Sequence, residues 1–204
     1  MASQTHVEYL AARLPGVEAR MRAVVDTAGA EGLRTMLLYH LGFADARGLP
    51  ERAPAGKRIR PALVLLSAAA ARQDGDTAGG QPAMTQGAIS AAAAVELLHN
   101  FSLIHDDIED GDLVRRGRPT LWKVWGIAQS INAGDAMFAM AHQALLQSAA
   151  PAERSLRALT VFERMCVRLT RGQYLDLSFE DRSDVTTAEY LDMIGGKTAA
   201  LTEA

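Results

Sequence analysis

Three aspartates near the middle of the chain have a spacing that suits metal chemistry. Asp106, Asp107 and Asp110 form a D-D-x-x-D motif at the end of the apolar segment SLIHDDIEDGD. On a helix, Asp106 and Asp110 share one face, where like charges destabilise the helix by roughly a few tenths of a kcal/mol. A divalent cation reverses that repulsion, and Mg²⁺ is usually held by one or two carboxylates together with substrate phosphates. The motif predicts a Mg²⁺ site for a phosphorylated ligand, with a solvated helix end as the alternative.

Two basic segments flank the aspartates. They are GKRIRP, with Lys57, Arg58 and Arg60, and RRGRPT, with Arg115, Arg116 and Arg118. The first lies at a helix start predicted at Pro61, where free backbone amides favour an anion. The second offers guanidinium groups, whose paired donors suit phosphate oxygens. Each segment alone is compatible with a solvated surface, but both are also candidate diphosphate sites.

A histidine is a further candidate for the same site as the aspartates and the basic segments. His99 lies seven residues before Asp106, two helical turns back on the same stripe, so we expect it to face the cavity that the aspartates line. The pair His105-Asp106 is also found in HD-type phosphohydrolases, but the sequence has no second His/Asp pair of that kind. Carboxylates, a histidine on their stripe and two arginine-rich segments together predict a site for two diphosphate groups.

The elements that must position these residues are predicted to be helices, because Ala, Leu, Arg and Met dominate and apolar residues recur every three or four positions. The predicted helices are residues 7–28, 31–44, 60–73, 84–108, 119–128, 130–148, 152–179 and 187–203. The alanine-dense segment AISAAAAVELL favours a central helix that its neighbours approach closely. Thr186 or Thr187 is predicted to cap the last helix, with Glu189 in its first turn.

Composition narrows the class of protein. The chain has 204 residues, 49% of them hydrophobic, and a formal net charge of −3, which favours one globular domain and argues against a nucleic-acid-binding protein. The single cysteine, Cys166, excludes an internal disulfide framework and is predicted to be a core residue. The sequence contains no stretch of about 18 uncharged apolar residues, so it predicts no membrane span. We therefore expect a soluble, cytoplasmic protein without stable membrane insertion.

The segment AVELLHNFSLIHDDIEDGDLVRRGRPT resembles the first aspartate-rich region of the polyprenyl synthase family, the trans-isoprenyl diphosphate synthases. The resemblance extends from GKRIRP through INAGDAMF and RGQYLDLSFE to GGKTAAL. It implies an all-α, isoprenoid synthase-type helical bundle around a central cavity, formed by residues 1–204 as a single domain. Family members continue to a second aspartate-rich motif that this sequence lacks, so we expect the C-terminal helices to be missing and an apolar surface to be exposed.

The resemblance also implies roles for individual residues. Asp106, Asp107 and Asp110 would ligate Mg²⁺ bridging an allylic diphosphate, which Arg115 would contact. The implied site for isopentenyl diphosphate comprises Lys57, Arg60, His99 and Arg116, and we add Arg58 as a further candidate. The predicted catalytic residues are Gln173, Asp176, Lys197 and Thr198, which would lie on facing helices near the allylic diphosphate. Phe101 and Ser102, just before the aspartates, would set the product length, for which C20 is predicted and C15 and C25 are alternatives.

The reaction that this resemblance implies is ionisation of the allylic diphosphate, attack by the isopentenyl double bond, and loss of a proton. The family further implies a homodimer. Two other functions remain open. The chain could be a non-catalytic subunit that pairs with a complete synthase, or a class I terpene cyclase. A cyclase has no need of an isopentenyl site, so GKRIRP and His99 favour the synthase.

Overall fold

The computed structural model describes residues 6–54, 56–71, 81–148 and 150–203, with only the backbone described for 81–84. Within the described residues the chain divides into two compact units, Met1–Ala150 and Pro151–Ala204. The prediction of a single domain stays a prediction. The last residues of the predicted helix 60–73 lie outside the described residues.

The first unit is helical apart from one short hairpin. Its helices are α1 (His6–Ala11), α2 (Leu14–Val25), α3 (Glu31–His40), α4 (Ile59–Ala70), α5 (Gln81–Glu109), α6 (Leu121–Trp125) and α7 (Ile127–Leu146). The hairpin consists of β1 (Val114–Arg115) and β2 (Arg118–Pro119), which pair antiparallel. The all-α prediction is confirmed, and the hairpin is an addition to it.

Helix α5 is the centre of the first unit and packs against α7, α4 and α2. The alanines of its AISAAAAVELL segment explain this position, since Ala92, Ala93 and Ala94 are completely buried. On α7, Ala133 and Ala141 are also completely buried. Small side chains on both helices let the backbones approach closely, as the alanine density predicted.

The residues Thr85–Glu109 of α5 would be long and apolar enough to cross a membrane, by length and composition alone. However, 61% of their most apolar stretch is buried inside the protein. Such burial is typical of a helix in the core of a globular protein, and it is consistent with a soluble protein.

The predicted helices 7–28 and 119–128 differ from those of the structure, and in each case a backbone-restricting residue explains the correction. The predicted helix 7–28 is interrupted at Ala12 and Arg13, because Pro15 lies in the first turn of α2, where its missing N–H costs nothing. The boundary predicted between 128 and 130 lies instead at Gly126, whose φ of 81° is incompatible with a continuing helix.

The hairpin between α5 and α6 was not predicted. Its two central residues, Arg116 and Gly117, have φ values of 53° and 78°, which is the backbone that two-residue hairpin turns require. The pairing sets Arg115 opposite Arg118 and leaves Arg116 at the turn. The RRGRP segment is therefore a tight two-residue turn with Arg116 at its tip.

The second unit consists of α8 (Ala152–Phe179), α9 (Thr187–Ile194), a π-helical segment (Gly195–Ala199) and α10 (Ala200–Glu203). The predicted cap is confirmed at Thr186, whose hydroxyl accepts from the N–H of Glu189 while the Glu189 carboxylate accepts from the Thr186 N–H. The predicted helix 187–203 is interrupted by the π-helical segment. Along α8, the side chains of Leu156, Val167 and Tyr174 are exposed.

Glycines explain how α8 and the π-helical segment pack. A Cβ at Gly172 would overlap the backbone of Gly196 and Lys197, and one at Gly196 would lie 2.8 Å from the Arg168 carbonyl oxygen. The two backbones are thus in direct contact, which no other residue type permits. The GQ and GGK motifs of the sequence each contribute one of these glycines.

We predict that Gly172→Ala lowers the free energy of unfolding by about 2 kcal/mol, because the added methyl group meets backbone that cannot move aside. Urea unfolding followed by circular dichroism measures this change. Gly195→Ala is the matched control, since a Cβ at Gly195 meets nothing within 4 Å and alanine is the better helix former. Equal stability of the two variants would contradict the packing described here.

Candidate active site

The aspartate motif lies at the C-terminal end of α5, as predicted. The helical pattern continues to Asp110, whose N–H donates to the Asp106 carbonyl oxygen at 2.8 Å. Asp106 and Asp110 are therefore one turn apart on the same face. Asp110 is exposed and the Asp106 side chain is 18% exposed, so both carboxylates are accessible to a ligand.

Asp107 points in a different direction and is held by other groups. Its side chain is only 2% exposed. Arg115 Nε donates to Asp107 Oδ1, whereas Oδ2 is buried without a hydrogen-bond partner in the described structure. Trp122 Nε1 donates to the Asp107 carbonyl oxygen at 2.8 Å. Burial raises the pKa of Asp107 to about 6 although Arg115 opposes that shift.

Arg115 links the hairpin to the motif. Besides its bond to Asp107, its guanidinium lies 3.8 Å from Asp106 Oδ2 and 3.5 Å from Asp112 Oδ2. The side chain is 24% exposed, so it remains accessible at the mouth of the site. Because three carboxylates hold the Arg115 guanidinium, it keeps a fixed place beside the motif. From there it is available to an anion bound at the site.

The carboxylates fit a hard divalent cation. Oxygen ligands are those that Mg²⁺ prefers, and the buried Asp107 Oδ2 lacks a partner that a cation could provide. Arg115 compensates only part of the negative charge of Asp106, Asp107 and Asp110. Their role as metal ligands, predicted from the resemblance, stays a prediction, with Asp106 and Asp110 the more accessible pair.

The two basic segments meet in space. Gly56, with φ of 83°, packs against the Arg116 guanidinium, where an added Cβ would lie 3.0 Å from Nη2. Arg60 and Arg116 are both half-buried, and this burial lowers the pKa of each guanidinium group. Lys57 is exposed. The structure thus brings the GKRIRP loop and the RRGRP turn into contact at Gly56 and Arg116.

Arg58 differs from its neighbours in GKRIRP. It adopts φ of 50° at the start of α4, and its side chain is 8% exposed. Arg58 Nη1 donates to Glu96 Oε1 at 2.6 Å, and Glu96 is itself buried. This pairing favours a structural role that fixes the loop on α5. The prediction that Arg58 binds substrate is not tested by the geometry, but its guanidinium already has a buried acceptor.

Arg118 is also held by contacts within the fold. Its guanidinium donates to the carbonyl oxygens of Tyr39 and Ala44 at 3.1 and 2.9 Å, and pairs with Glu51 at 3.1 Å. It also stacks over the Tyr39 ring at 3.9 Å from the centroid. These contacts anchor the hairpin to α3 and the following loop.

His99 lies on α5 near the arginines of the two basic segments, and its predicted place in a cavity lined by the aspartates stays a prediction. Burial lowers the pKa of His99 to about 3, assisted by the positive charges of Arg60, Arg116, Arg115 and Arg58. The imidazole is consequently neutral near pH 7. A neutral ring adds a hydrogen-bonding group to a positively charged site without adding charge.

We predict an acid-sensitive stability that originates partly in His99. Its folded pKa is below its unfolded pKa of 6.5, so this contribution is fully present above pH 6.5 and is lost as pH falls towards 3. At pH 5 the loss is about 2 kcal/mol. Urea unfolding at pH 7.5 and pH 5 should show a smaller pH effect for His99→Gln than for the parent chain. His6→Gln, at an exposed position, is the control and should behave like the parent.

The predicted catalytic residues of the second unit lie on facing elements. Asp176 on α8 forms an ion pair with Lys197 of the π-helical segment. Gln173 lies one turn before Asp176 and is half-buried, while Thr198 is exposed. The facing arrangement agrees with the resemblance, and the catalytic role of these residues stays a prediction.

The predicted length-setting residues lie on α5 before the aspartates. The Phe101 ring contacts Phe138 of α7 at 5.0 Å between centroids and His105 at 4.8 Å. Ser102 Oγ donates to the His99 carbonyl oxygen at 2.8 Å. Phe101 is thus part of an aromatic contact between two helices, whereas Ser102 is bonded to its own helix.

Two residues beside the site were not predicted from any motif. A small pocket is lined by Asp107, Arg115 and Arg116 together with Tyr39 and His40 from the end of α3. Tyr39 Oη donates to the Pro119 carbonyl oxygen at 2.9 Å. Neither residue belongs to a motif, and only the packing of α3 against the hairpin brings them to the aspartates.

Comparisons with known proteins identify the family of the chain. The chain is similar to (2E,6E)-farnesyl diphosphate synthase of Mycobacterium tuberculosis, with 47% identity over 173 residues that cover 84% of this chain and 45% of that protein. It is 44% identical over 174 residues to a geranylgeranyl diphosphate synthase of the same organism, which covers 84% of this chain and 46% of that protein. The solved structure of geranylgeranyl pyrophosphate synthetase from the archaeon Geoglobus acetivorans is similar to this chain with a TM-score of 0.78 at 36% identity, covering 94% of this chain and 56% of that one.

The likeness of the fold confirms the isoprenoid synthase-type helical architecture. The chain spans about half the length of the curated relatives it matches. The sequence profile of the family described as Polyprenyl synthetase matches residues 51–204. That match covers more than half of the chain and includes both basic segments and the aspartate motif, and the chain therefore belongs to the polyprenyl synthetase family.

Proposed function

We propose that the protein is a trans-prenyltransferase that condenses isopentenyl diphosphate with an allylic diphosphate to give a short-chain prenyl diphosphate. The observation that carries this proposal is the convergence of two oppositely charged half-sites in the first unit. Asp106 and Asp110 form an accessible carboxylate pair beside Arg115, and Arg116 packs against Gly56 of the GKRIRP loop. The acidic half-site suits a diphosphate bound through a metal ion. The basic half-site suits a diphosphate bound by cationic side chains alone.

The residues divide between the two substrates. We assign Asp106, Asp107, Asp110 and Arg115 to the allylic diphosphate. When bound to the carboxylates, Mg²⁺ would neutralise negative charge on the leaving diphosphate. Arg115 would donate to the same group, which its fixed place among the carboxylates supports.

Isopentenyl diphosphate is assigned to the basic half-site. Lys57, Arg60 and Arg116 would bind its phosphate oxygens, and the neutral His99 would add a hydrogen bond. The partial burial of Arg60 and Arg116 supports this assignment, because guanidinium groups shielded from water bind anions more strongly. Bound in this way, the isopentenyl double bond would attack the allylic cation, and a proton would then be lost.

We propose a C20 product, with C15 and C25 as alternatives. The length would depend on Phe101, whose ring contacts Phe138 on the neighbouring helix. We predict that Phe101→Ala lengthens the product by at least one C5 unit, because it removes an aromatic ring from one side of that contact. Chromatographic sizing of the extracted product measures this change. Ser102→Ala, which removes only a helix-bonded hydroxyl, should change the length less, and a product of unchanged length from Phe101→Ala would refute the assignment.

The remaining expectations belong to the same proposal. A homodimer, which the resemblance implies, and a cytoplasmic location, which the composition suggests, stay predictions. A non-catalytic partner subunit is the second candidate function, and it is compatible with the same diphosphate-binding groups. A class I terpene cyclase is less well supported, because the basic half-site of GKRIRP and His99 has no role in that reaction.

The test is incubation of the purified chain with radiolabelled isopentenyl diphosphate, Mg²⁺ and each of three short allylic diphosphates. A prenyl product that Asp106→Asn abolishes would establish the synthase. Magnesium-dependent diphosphate binding without product would favour the partner subunit, which would then change the product of a complete synthase when mixed with it. Absence of both product and diphosphate binding would contradict the proposal.

A further inference from the structure

The aspartate motif lies on the last turn of α5, where the helix leaves its final carbonyl oxygens without helical partners. The chain turns at Gly111, whose φ is 68°. The N–H of Asp112 donates back to the Asp107 carbonyl oxygen at 2.9 Å, and the N–H of Gly111 donates to the Ile108 carbonyl oxygen at 3.3 Å. These two bonds form a Schellman motif, which closes the C-terminal end of the helix.

Trp122 of α6 joins this closure from outside the helix. Its Nε1–H is shared between two acceptors, the carbonyl oxygens of Asp107 and Asp112, each at 2.8 Å. Asp107 and Asp112 are the residues at the two ends of the longer bond of the Schellman motif. One indole donor therefore bridges the first and the last residue of the turn that ends α5.

The hairpin that carries Arg115 is held at the same point. Thr120 Oγ1 donates to the Asp112 carbonyl oxygen at 2.8 Å, and Thr120 is only 2% exposed. The Asp112 carboxylate lies 3.5 Å from the Arg115 guanidinium. Because Trp122 binds the Asp112 carbonyl oxygen too, its indole N–H links the end of α5 to the segment that places the arginine.

The two accessible carboxylates depend on the order of this turn. Asp110 lies between Asp107 and Asp112, and its N–H donates to the Asp106 carbonyl oxygen at 2.8 Å. The last turn of a helix frays easily. If it frays, the backbone of Asp106 and Asp110 must be ordered again before both carboxylates can hold one cation, and the entropy lost in that ordering weakens binding. A group that keeps the turn closed removes this cost in advance.

Resting on the proposed function, we infer that Trp122 is a positioning residue of the allylic diphosphate half-site, whose indole N–H keeps the carboxylates of Asp106 and Asp110 in place for a divalent cation. Trp122 contacts neither the cation nor the diphosphate in this role. It acts through the backbone carbonyl groups of Asp107 and Asp112.

Two substitutions on the same helix isolate the indole N–H. Trp122→Phe removes the donor and keeps an aromatic ring. Trp125→Phe is the matched control, since the Trp125 ring contacts Tyr39 edge-on at 5.1 Å between centroids, and its N–H has no hydrogen-bond partner in the described part of the chain. The probes are an allylic diphosphate, titrated calorimetrically with and without Mg²⁺, and isopentenyl diphosphate, titrated without metal.

We expect Trp122→Phe to weaken the Mg²⁺-dependent binding of the allylic diphosphate by about tenfold, as is usual for groups that hold metal ligands in place. Its binding of isopentenyl diphosphate should stay within about twofold of the parent, and Trp125→Phe should bind both ligands within about twofold. The backbone amides of Asp110 and Asp112 should exchange with solvent at least about tenfold faster in Trp122→Phe. A merely structural role would produce no such difference between the two ligands.

The parent chain offers a second measurement, which decides should Trp122→Phe not fold. The chain contains only two tryptophans, so Trp125→Phe assigns both indole N–H signals in an NMR spectrum. The Trp122 indole proton should exchange at least about threefold more slowly once Mg²⁺ and the allylic diphosphate are bound, whereas the Trp125 proton should not change. Unchanged exchange of the Trp122 proton would contradict its role.

Equal affinity of Trp122→Phe and the parent chain for the allylic diphosphate would overturn the role of Trp122 while leaving the proposed function intact. Parallel weakening of both ligands would overturn it too. If the parent chain binds no allylic diphosphate in the presence of Mg²⁺, the proposed function fails and the role of Trp122 with it.

Discussion

Asp106→Asn and Asp110→Asn are each expected to reduce the Mg²⁺-dependent affinity for an allylic diphosphate by more than about 100-fold. The two carboxylates lie one turn apart on the accessible face of α5. Asparagine has nearly the same size as aspartate but carries no charge, so the loss reports the charge that a hard cation requires. Calorimetric titration of an allylic diphosphate with and without Mg²⁺ measures it.

The matched control is Glu109→Gln, which removes one negative charge from the residue between the two aspartates. Glu109 is exposed at the end of α5 but is not one of the three aspartates of the motif. This variant should bind the allylic diphosphate within about threefold of the parent, since an exposed charge near the site contributes little. If Glu109→Gln lost as much affinity as Asp106→Asn, general electrostatics rather than metal ligation would explain both results.

Arg58→Met is expected to lower the free energy of unfolding by about 3 kcal/mol or more. The substitution keeps an apolar chain of similar length but leaves Glu96, which is 3% exposed, without its cationic partner. Removing one member of a buried ion pair leaves an uncompensated charge in the interior, which costs about 3–5 kcal/mol. Urea unfolding of the variant and the parent chain measures the difference.

Two further variants test that explanation. The double variant Arg58→Met with Glu96→Leu should be more stable than Arg58→Met alone, because no charge is then left buried. Arg34→Met is the exposed control. Arg34 pairs with Asp26 at 2.7 Å, but the side chains are 35% and 52% exposed, and its loss should cost less than about 1 kcal/mol.

The same variants distinguish the two roles considered for Arg58 when their binding of isopentenyl diphosphate is measured together with their stability. If Arg58 mainly fixes the GKRIRP loop on α5, isopentenyl diphosphate binding and stability should both be restored in part by the double variant. If Arg58 binds the diphosphate directly, the double variant should regain stability without regaining affinity. The sequence predicted the second role from the neighbourhood of Lys57 and Arg60, whereas the ion pair with Glu96 favours the first.

Helical periodicity accounts for much of what the sequence determined. The positions of Asp106, Asp110 and His99 on one helix depend on separations of four and seven residues, and a helix fixes such separations without help from the rest of the fold. The Thr186 cap and the central place of the alanine-rich helix follow from equally local rules. These features are determined within one or two turns of chain, so the sequence alone was sufficient to predict them.

The orientation of individual side chains in the site was decided by tertiary structure. Asp107 is buried against Arg115, and Arg58 is paired with Glu96 across 38 positions of sequence. Arg116 reaches Gly56 only because an unpredicted two-residue turn reverses the chain.

His40 is the clearest example of a residue whose place beside the site was decided by tertiary structure. Nothing in the residues around it marks it, and it lines the pocket only because α3 packs beside the hairpin. Charge and residue type set which chemistry the chain offers. Which atoms face each other depends on contacts between distant segments, because burial and hydrogen-bond partners are properties of the packed chain and not of any local stretch of it.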